Sequence, residues 1–253
     1  GMTSRLLNVY IKNMEPFNVF YVDYLCVDKS KRNQGVAPQI IQTHVYNTRR
    51  INNNINVFLF KKDANLNSIV PLTLYLTNSY NIKDWDLPKV IHPSFNILEL
   101  NKQTLQLFFE YIETYNPFKC YISCNPENLL NLIDKQSIFG YIARNNNIVV
   151  GVYLFRNSNT LFNNEKVFDL FFSLSSNNKN KEDFILGFEK SLLKCYTKQQ
   201  FQYLSIENIS HNNYIMNMIN NKQYIPFKTF PTAYYLYNYI NKPYFSNDIA
   251  IIN

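Results

Sequence analysis

The residues best suited to do chemistry stand in one short run, K-S-K-R-N-Q-G-V-A-P, over residues 29–38. It follows the strand-like D-Y-L-C-V and precedes a helix-forming stretch. A strand that feeds a loop and then a helix leaves free main-chain N–H groups and the positive end of a dipole at the helix N-terminus. Here Lys29, Lys31 and Arg32 add cations, with Asn33 and Gln34 between them and the turn. Such a set grips phosphate oxygens. Gly35 lets the main chain approach an anion with no side chain in the way, and Ala37 keeps the first helical turn uncrowded. The pattern, Arg-x-x-Gly-x-Ala, has two open readings on its residues alone: a phosphate-binding loop, or a solvated basic loop between strand and helix.

Little else competes with it. Cys26, Cys120, Cys124 and Cys195 are scattered, and the closest pair has one residue too many between its members for ordinary zinc spacing, so free buried thiols are expected. His44, His92 and His211 lie far apart without an acidic cluster, and no metal is expected. The net charge of +7 favours an anionic partner. Its cations are spread along the chain and no nucleic-acid motif appears, which argues against nucleic acid as that partner.

The elements that must position the loop follow from patterning. With 253 residues and 46% hydrophobic content, the chain has ample material for a packed core. Two extended stretches over 5–27 surround the turn Met14-Glu15-Pro16. Pro38 suits a first helical turn, and the helix is expected to run to about Ile51. N-V-F-L-F then reads as a buried strand, and the spacing of Leu72, Tyr75 and Leu76 after Pro71 reads as a second helix. Pro88 and Pro93 punctuate an irregular stretch, and a helix capped by Asn101 follows. Beyond it come a hairpin across 145–147, the strand V-F-D-L-F-F-S-L, a polar loop over 175–183, and a helix turning Ile185, Phe188, Leu192 and Tyr196 inward. F-Q-Y-L-S-I, a helix from Asn212 and the strand A-Y-Y-L-Y-N-Y-I close the pattern. The order resembles a repeat of two α/β halves, 1–95 and 96–253. Abundant asparagine interleaved with aromatics reads as ordinary surface loops.

No apolar run approaches the roughly 18 residues of a membrane span. G-M-T-S-R-L-L-N-V-Y-I has no leader pattern and its Gly1 reads as a cloning remnant, so a cytoplasmic monomer is expected.

The loop's neighbours narrow its meaning. V-D-Y-L-C-V-D-K-S-K-R-N-Q-G-V-A-P resembles, without gaps, the N-myristoyltransferase stretch that begins E-[IV]-N-F-L-C-x-H-K and continues to R-S-K-R-V-A-P. Val22, Leu25, Cys26, Lys29, Arg32, Val36, Ala37 and Pro38 match it outright. Y-Y-L-Y-N-Y over 234–239 is similar to that family's Y-Y-L-Y-N-W block, at a comparable distance from the end. The likeness runs over almost the whole chain but starts inside the family's usual beginning.

The resemblance implies a mixed-sheet α/β fold of the GNAT-like acyl-CoA N-acyltransferase kind, two tandem halves sharing one continuous saddle-shaped sheet. It implies acyl-CoA, myristoyl-CoA or another, as co-substrate and an N-terminal peptide or amine as acceptor. The main-chain amides of Tyr24 and Leu25 would form the oxyanion hole, with the α-carboxylate of Asn253 as general base. Val27, Lys29, Lys31, Arg32, Asn33, Gln34, Gly35, Val36, Ala37 and Pro38 would hold the CoA phosphates. Tyr75 and Thr77, in Y-L-T-N-S-Y-N, and Tyr235 would lie on the acceptor side. The apolar tail D-I-A-I-I-N is expected to dock, since exposing Ile249, Ile251 and Ile252 would cost roughly 1.5 kcal/mol or more each. Cys26, lacking a partner His, reads as a packed core residue and not a nucleophile.

The sequence also departs from the family. Its K-F-G-x-G-D-G signature falls on Y-I-P-F-K-T-F, without the glycines or the acid; Asp23 and Asp28 replace Asn and His, and Phe60 and Lys61 replace a Tyr-Thr pair. Fatty acyl transfer to an N-terminal glycine is the leading expectation. A short-chain N-acetyltransferase and a non-catalytic acyl-CoA or peptide binder are the alternatives.

Overall fold

A computed structural model describes residues 1–63, 69–83, 85–87, 94–176 and 181–253. Pro88, Pro93 and part of the 175–183 loop fall outside the described residues.

β1 (Thr3–Ile11) and β2 (Phe17–Asp23) form the expected hairpin, antiparallel from Thr3↔Asp23 to Val9↔Phe17. A single 3-10 turn, Lys29–Lys31, leads into α1 (Val36–Ile51), and β3 (Phe58–Asp63) follows. The segment after Pro71, whose spacing predicts a helix, is instead the strand β4 (Thr73–Asn81). Its inward residues Tyr75, Thr77 and Ser79 alternate with outward ones, so its period is two. Leu74 and Leu76 sit half exposed on the outer face, and that second apolar row mimicked helical spacing.

β5 (Phe95–Glu99), α2 (Leu105–Tyr115), β6 (Cys120–Ser123) and α3 (Pro126–Asp134) come next. Asn101 caps the turn before α2 rather than the helix itself, its Oδ1 accepting from the amides of Gln103 at 2.8 Å and Thr104 at 3.3 Å. β7 (Ile138–Asn145), β8 (Ile148–Phe162) and β9 (Glu165–Ser175) form a meander. α4 (Lys181–Gln199), β10 (Tyr203–Glu207), α5 (Asn212–Asn221), β11 (Lys228–Tyr237) and β12 (Ile249–Ile252) complete the chain. In α4, Phe188 and Leu192 are buried and Ile185 half-buried, while Tyr196 lies at the rim against Phe201.

All twelve strands join one mixed sheet, in the order β12-β6-β1-β2-β3-β11-β4-β10-β9-β8-β7-β5. One core packs α2, α3 and β12 with strands from both ends of the sheet; the other gathers α4 and α5 over β5 and β7–β10. β12, although an edge strand, also lies against β9, so the sheet curls its edge back toward its middle. Asparagine explains many of the tight turns: Asn146 and Asn147 join β7 to β8, and Asn163 and Asn164 join β8 to β9, all four with positive φ. A chain with five glycines uses Asn for left-handed corners. Among the described residues no helix is long and apolar enough to cross a membrane.

Candidate active site

The sheet opens at its centre. β2 pairs in parallel with β3 only from Phe20↔Phe58 to Val22↔Phe60. β3 continues to Asp63 on its other partner, β11. Past that point β2 leaves the ladder, and Tyr24 takes the left-handed conformation at φ 54°. For a bulky residue this costs roughly 1–2 kcal/mol. Tyr24 and Leu25 line the opening and are largely exposed. The Leu25 amide has no hydrogen-bond acceptor among the described residues. The Tyr24 amide instead donates to Oδ1 of Asp23 at 3.0 Å, and Oδ2 of the same carboxylate accepts from Arg5 at 3.4 Å.

Cys26 requires a second correction. It is exposed, because it lies in the loop beyond the end of β2 and pairs its backbone with Gly1. Cys120, Cys124 and Cys195 are buried free thiols, and burial raises each of their pKa values.

The 29–38 loop divides in two. Asp28 caps the 3-10 turn, accepting from the Ser30 amide at 2.8 Å and hydroxyl at 2.7 Å, and these bonds hold its carboxyl below the usual range. The amides of Lys31 and Arg32 are spent on the carbonyls of Asp28 and Lys29. Arg32 Nε donates to Val27 O at 3.3 Å, and Gln34 Nε2 to Ser30 O at 3.0 Å. From Asn33 the main chain changes character. Asn33 and Gly35 take φ of 61° and 75°, and the amides of Asn33, Gln34, Gly35, Val36 and Ala37 have no acceptor among the described residues. Pro38 has no N–H to satisfy. Lys29 and Lys31 are exposed, with no ion pair among the described residues. The donor cluster is therefore the 33–37 segment and the helix start, not the whole loop.

Farther along α1, from Ile41 onward, runs a cleft of about 1250 Å³, larger than the roughly 300–1,000 Å³ of ordinary small-molecule sites, while Val36 borders a separate pocket with Gln39, Ile40 and Thr43. Ile41, Val45 and Tyr46 of α1 form one wall and Phe58 and Phe60 of β3 the other; Tyr24 and Leu25 stand at its edge, with Arg49, Arg50 and Lys62 among its polar lining. α1 is poorly covered: Thr48 alone of its residues is buried, whereas Tyr46 is 65% and Ile51 84% exposed. Tyr235 stacks on Phe60 at 5.2 Å, on the cleft side of the sheet.

Alternate residues of the same strands turn toward a part-buried ion network centred on the buried Glu207, which sequence reasoning missed. Lys61 Nζ lies 2.7 Å from Glu207 Oε1, and Arg156 Nη2 is 3.1 Å from that oxygen and 3.4 Å from Asp169 Oδ2. Tyr75 donates its hydroxyl to Glu207 Oε2 at 2.5 Å, and Thr77 bonds Thr232 at 2.8 Å. Burial pushes the Glu207 carboxyl up, but Lys61, Arg156 and the Tyr75 hydroxyl outweigh it and hold the group below its ordinary value. For Asp169 burial prevails over Arg156 and Lys61, and its carboxyl is raised. The only sequence signal was charge set into apolar strand runs, as in V-Y-L-F-R and V-F-D-L-F-F.

The chain terminus enters this network. β12 pairs in parallel with β6 from Ile249↔Cys120 to Ile252↔Ser123, and Asn253 is fully buried. The expected docking of the tail is present. Arg156 Nη1 reaches Asn253 Oδ1 at 3.3 Å, and the Asn253 side chain also interacts with the Tyr234 hydroxyl.

No family model matches the chain, and comparison with curated proteins finds no match. Solved structures do match. N-myristoyltransferase of Saccharomyces cerevisiae with bound myristoyl-CoA aligns over 97% of this chain and 68% of its own, with a TM-score of 0.72 at 16% identity. A second structure of that enzyme with bound myristoyl-CoA aligns over 100% and 69%, with a TM-score of 0.76 at 15% identity. The chain has the N-myristoyltransferase fold. A GCN5-related N-acetyltransferase from Kribbella flavida aligns over 93% of this chain and 56% of its own, with a TM-score of 0.52 at 8% identity. At these identities the likeness is one of fold, and each residue's role has to be argued from its own geometry.

Proposed function

We propose that this chain is an acyl-CoA-dependent N-acyltransferase that moves a fatty acyl group, myristoyl in the first instance, to the N-terminal glycine amine of a protein or peptide. The observation that carries this reading is the opening between β2 and β3. An apolar cleft along α1 borders it, unpaired amides stand at the start of that helix, and a buried chain terminus joins the ion network that includes Lys61 of β3.

On this reading the 1–95 half holds acyl-CoA and the 96–253 half faces the acceptor. The CoA phosphates meet the amides of residues 33–37, with Lys29 and Lys31 supplying countercharge. The acyl chain covers the exposed apolar side of α1, where each buried methylene contributes about 0.8 kcal/mol. The thioester oxygen sits at the Leu25 amide, and at the Tyr24 amide once that donor leaves Asp23. Donors of this kind act on charge that develops in the transition state, at roughly 3–4 kcal/mol each.

The acceptor ammonium, with a pKa near 8, loses a proton to the Asn253 α-carboxylate. The amine nitrogen bonds to the thioester carbon, the C–S bond breaks, and the nitrogen's surplus proton leaves with the CoA sulfur as thiol. Tyr75 and Thr77, both buried in β4, would act on the acceptor only through Glu207 and Thr232. Tyr235, stacked on Phe60, fits the acyl side better.

One observation favours a silent acyl-CoA binder as a second reading: the Asp23 carboxylate occupies one of the two proposed oxyanion donors. Thiol release measured with CoA thioesters of increasing chain length, plus a glycine-initiated peptide, separates the readings. The proposal expects release that rises with chain length and an acylated peptide by mass spectrometry. A maximum at acetyl would mark a short-chain transferase. Tight CoA binding without release would establish the binder.

A further inference from the structure

Arg156 is a largely buried cation, its side chain 15% exposed, with partners on several sides. Its guanidinium lies 4.9 Å from the centre of the Phe171 ring and bonds Asp169, Glu207 and the side-chain oxygen of Asn253. These contacts come from β9, β10 and the chain terminus, elements far apart in sequence. We propose that Arg156 is the positioning residue that fixes the C-terminal residue in the active site, gripping Asn253 through its side-chain amide.

Three features support this. Asn253 is wholly buried, its Oδ1 accepts from the Arg156 guanidinium, and its side-chain amide also interacts with the Tyr234 hydroxyl, so the last side chain is held among buried polar groups. A terminal strand is also where chains ordinarily fray, and the β12–β6 ladder ends at Ile252. Past that point Arg156 and Tyr234 hold the last side chain. Finally, Arg156 is itself held: Glu207 and Asp169 orient the guanidinium, and Lys61 pins Glu207 from the strand that borders the opening. The chain of contacts runs from the cleft edge to the terminus. It resembles the way outer groups orient a reactive one elsewhere, where looseness of about an ångström costs most of the activity.

The inference rests on the reading that the terminal carboxylate takes the acceptor's proton, so the test has one arm that needs turnover and one that does not. Asn253→Leu removes the grip from the tail side and leaves the ion network whole. Arg156→Lys keeps the charge and weakens the fork. In the first arm, Asn253→Leu should lower kcat about tenfold or more with KM for acyl-CoA within twofold, and Arg156→Lys should lower it less than Arg156→Met does. In the second arm, hydrogen exchange of the 245–253 peptide should rise in Asn253→Leu while the exchange of β10 stays unchanged. Equal tail exchange in wild type and Asn253→Leu would overturn the proposal whether or not the protein turns over. Faster tail exchange with wild-type kcat would equally overturn it. If the wild-type protein releases no thiol from any thioester, the reading of the carboxylate as a base fails, and the exchange arm alone decides whether Arg156 fixes the tail.

Discussion

Lys61 Nζ sits 2.7 Å from Oε1 of Glu207, joining a residue at the edge of the central opening to a carboxylate that is 1% exposed on the far side of the sheet. This pair sets a charge-paired lining behind the opening.

Removing Lys61 leaves Glu207 buried with Arg156 and Tyr75 as its remaining partners. Lys61→Met should destabilise by about 1–3 kcal/mol, below the full cost of breaking a buried pair because Lys61 is partly exposed. Adding Glu207→Gln should recover part of that loss, giving a positive coupling in a double-mutant cycle measured by urea unfolding. Glu207 is held below its ordinary 4.5, so its contribution is present above that pH and is lost as pH falls through the folded value. The coupling should therefore stay level down to about pH 4.5 and shrink below it. A coupling that strengthens in acid would contradict the assignment.

Gly35→Glu should abolish CoA binding while leaving the fold nearly intact. A Cβ there meets nothing within 4 Å, so the cost to stability is confined to the left-handed φ of 75°, roughly 1 kcal/mol. The new carboxylate stands among the unpaired amides and repels phosphate. Calorimetric titration with CoA reads the effect, and retained affinity would remove the loop from the site.

The last residue should tolerate neither loss nor addition. Deleting Asn253, or extending the chain by one residue, moves the terminal carboxylate out of a fully buried place. Thiol release should fall at least a hundredfold while CoA affinity persists. Unchanged release would take Asn253 out of the mechanism.

His211 should make stability fall in mild acid. It is buried against Phe118 and Tyr214, its Nδ1 accepts from the Ser175 amide at 2.9 Å, and burial lowers its pKa from 6.5 to about 4. Below pH 6.5 the unfolded chain binds a proton that the folded one refuses. Stability should therefore drop by about 2–3 kcal/mol between pH 6.5 and about 4. His211→Asn should flatten that slope in urea titrations; a slope unchanged in the variant would assign the acid sensitivity elsewhere.

The sequence carried the local features well. The hairpin before the loop, the loop feeding α1, the Asn146 and Asn147 corner and the apolar docked tail each arise from neighbouring residues whose types restrict the backbone. β4 misled because Leu74 and Leu76 stay apolar on its outer face, which hides a period of two. The ion network was illegible for another reason. Lys61, Arg156, Asp169 and Glu207 sit on β3, β8, β9 and β10, and their meeting depends on the curl and order of the whole sheet. Nor did sequence foretell how the Lys29 to Pro38 run divides, because that division follows from Asp28 drawing the 3-10 turn around itself.

On the proposed function, the opening between β2 and β3 passes an acyl group from CoA to an amine. Incubation of the protein with myristoyl-CoA and a glycine-initiated peptide, followed by mass spectrometry of the peptide, tests it most directly. The expected product is a peptide carrying one myristoyl group on its terminal nitrogen, with a matching release of CoA thiol. An unmodified peptide and no thiol, from protein that binds the thioester and is fully folded, would contradict it.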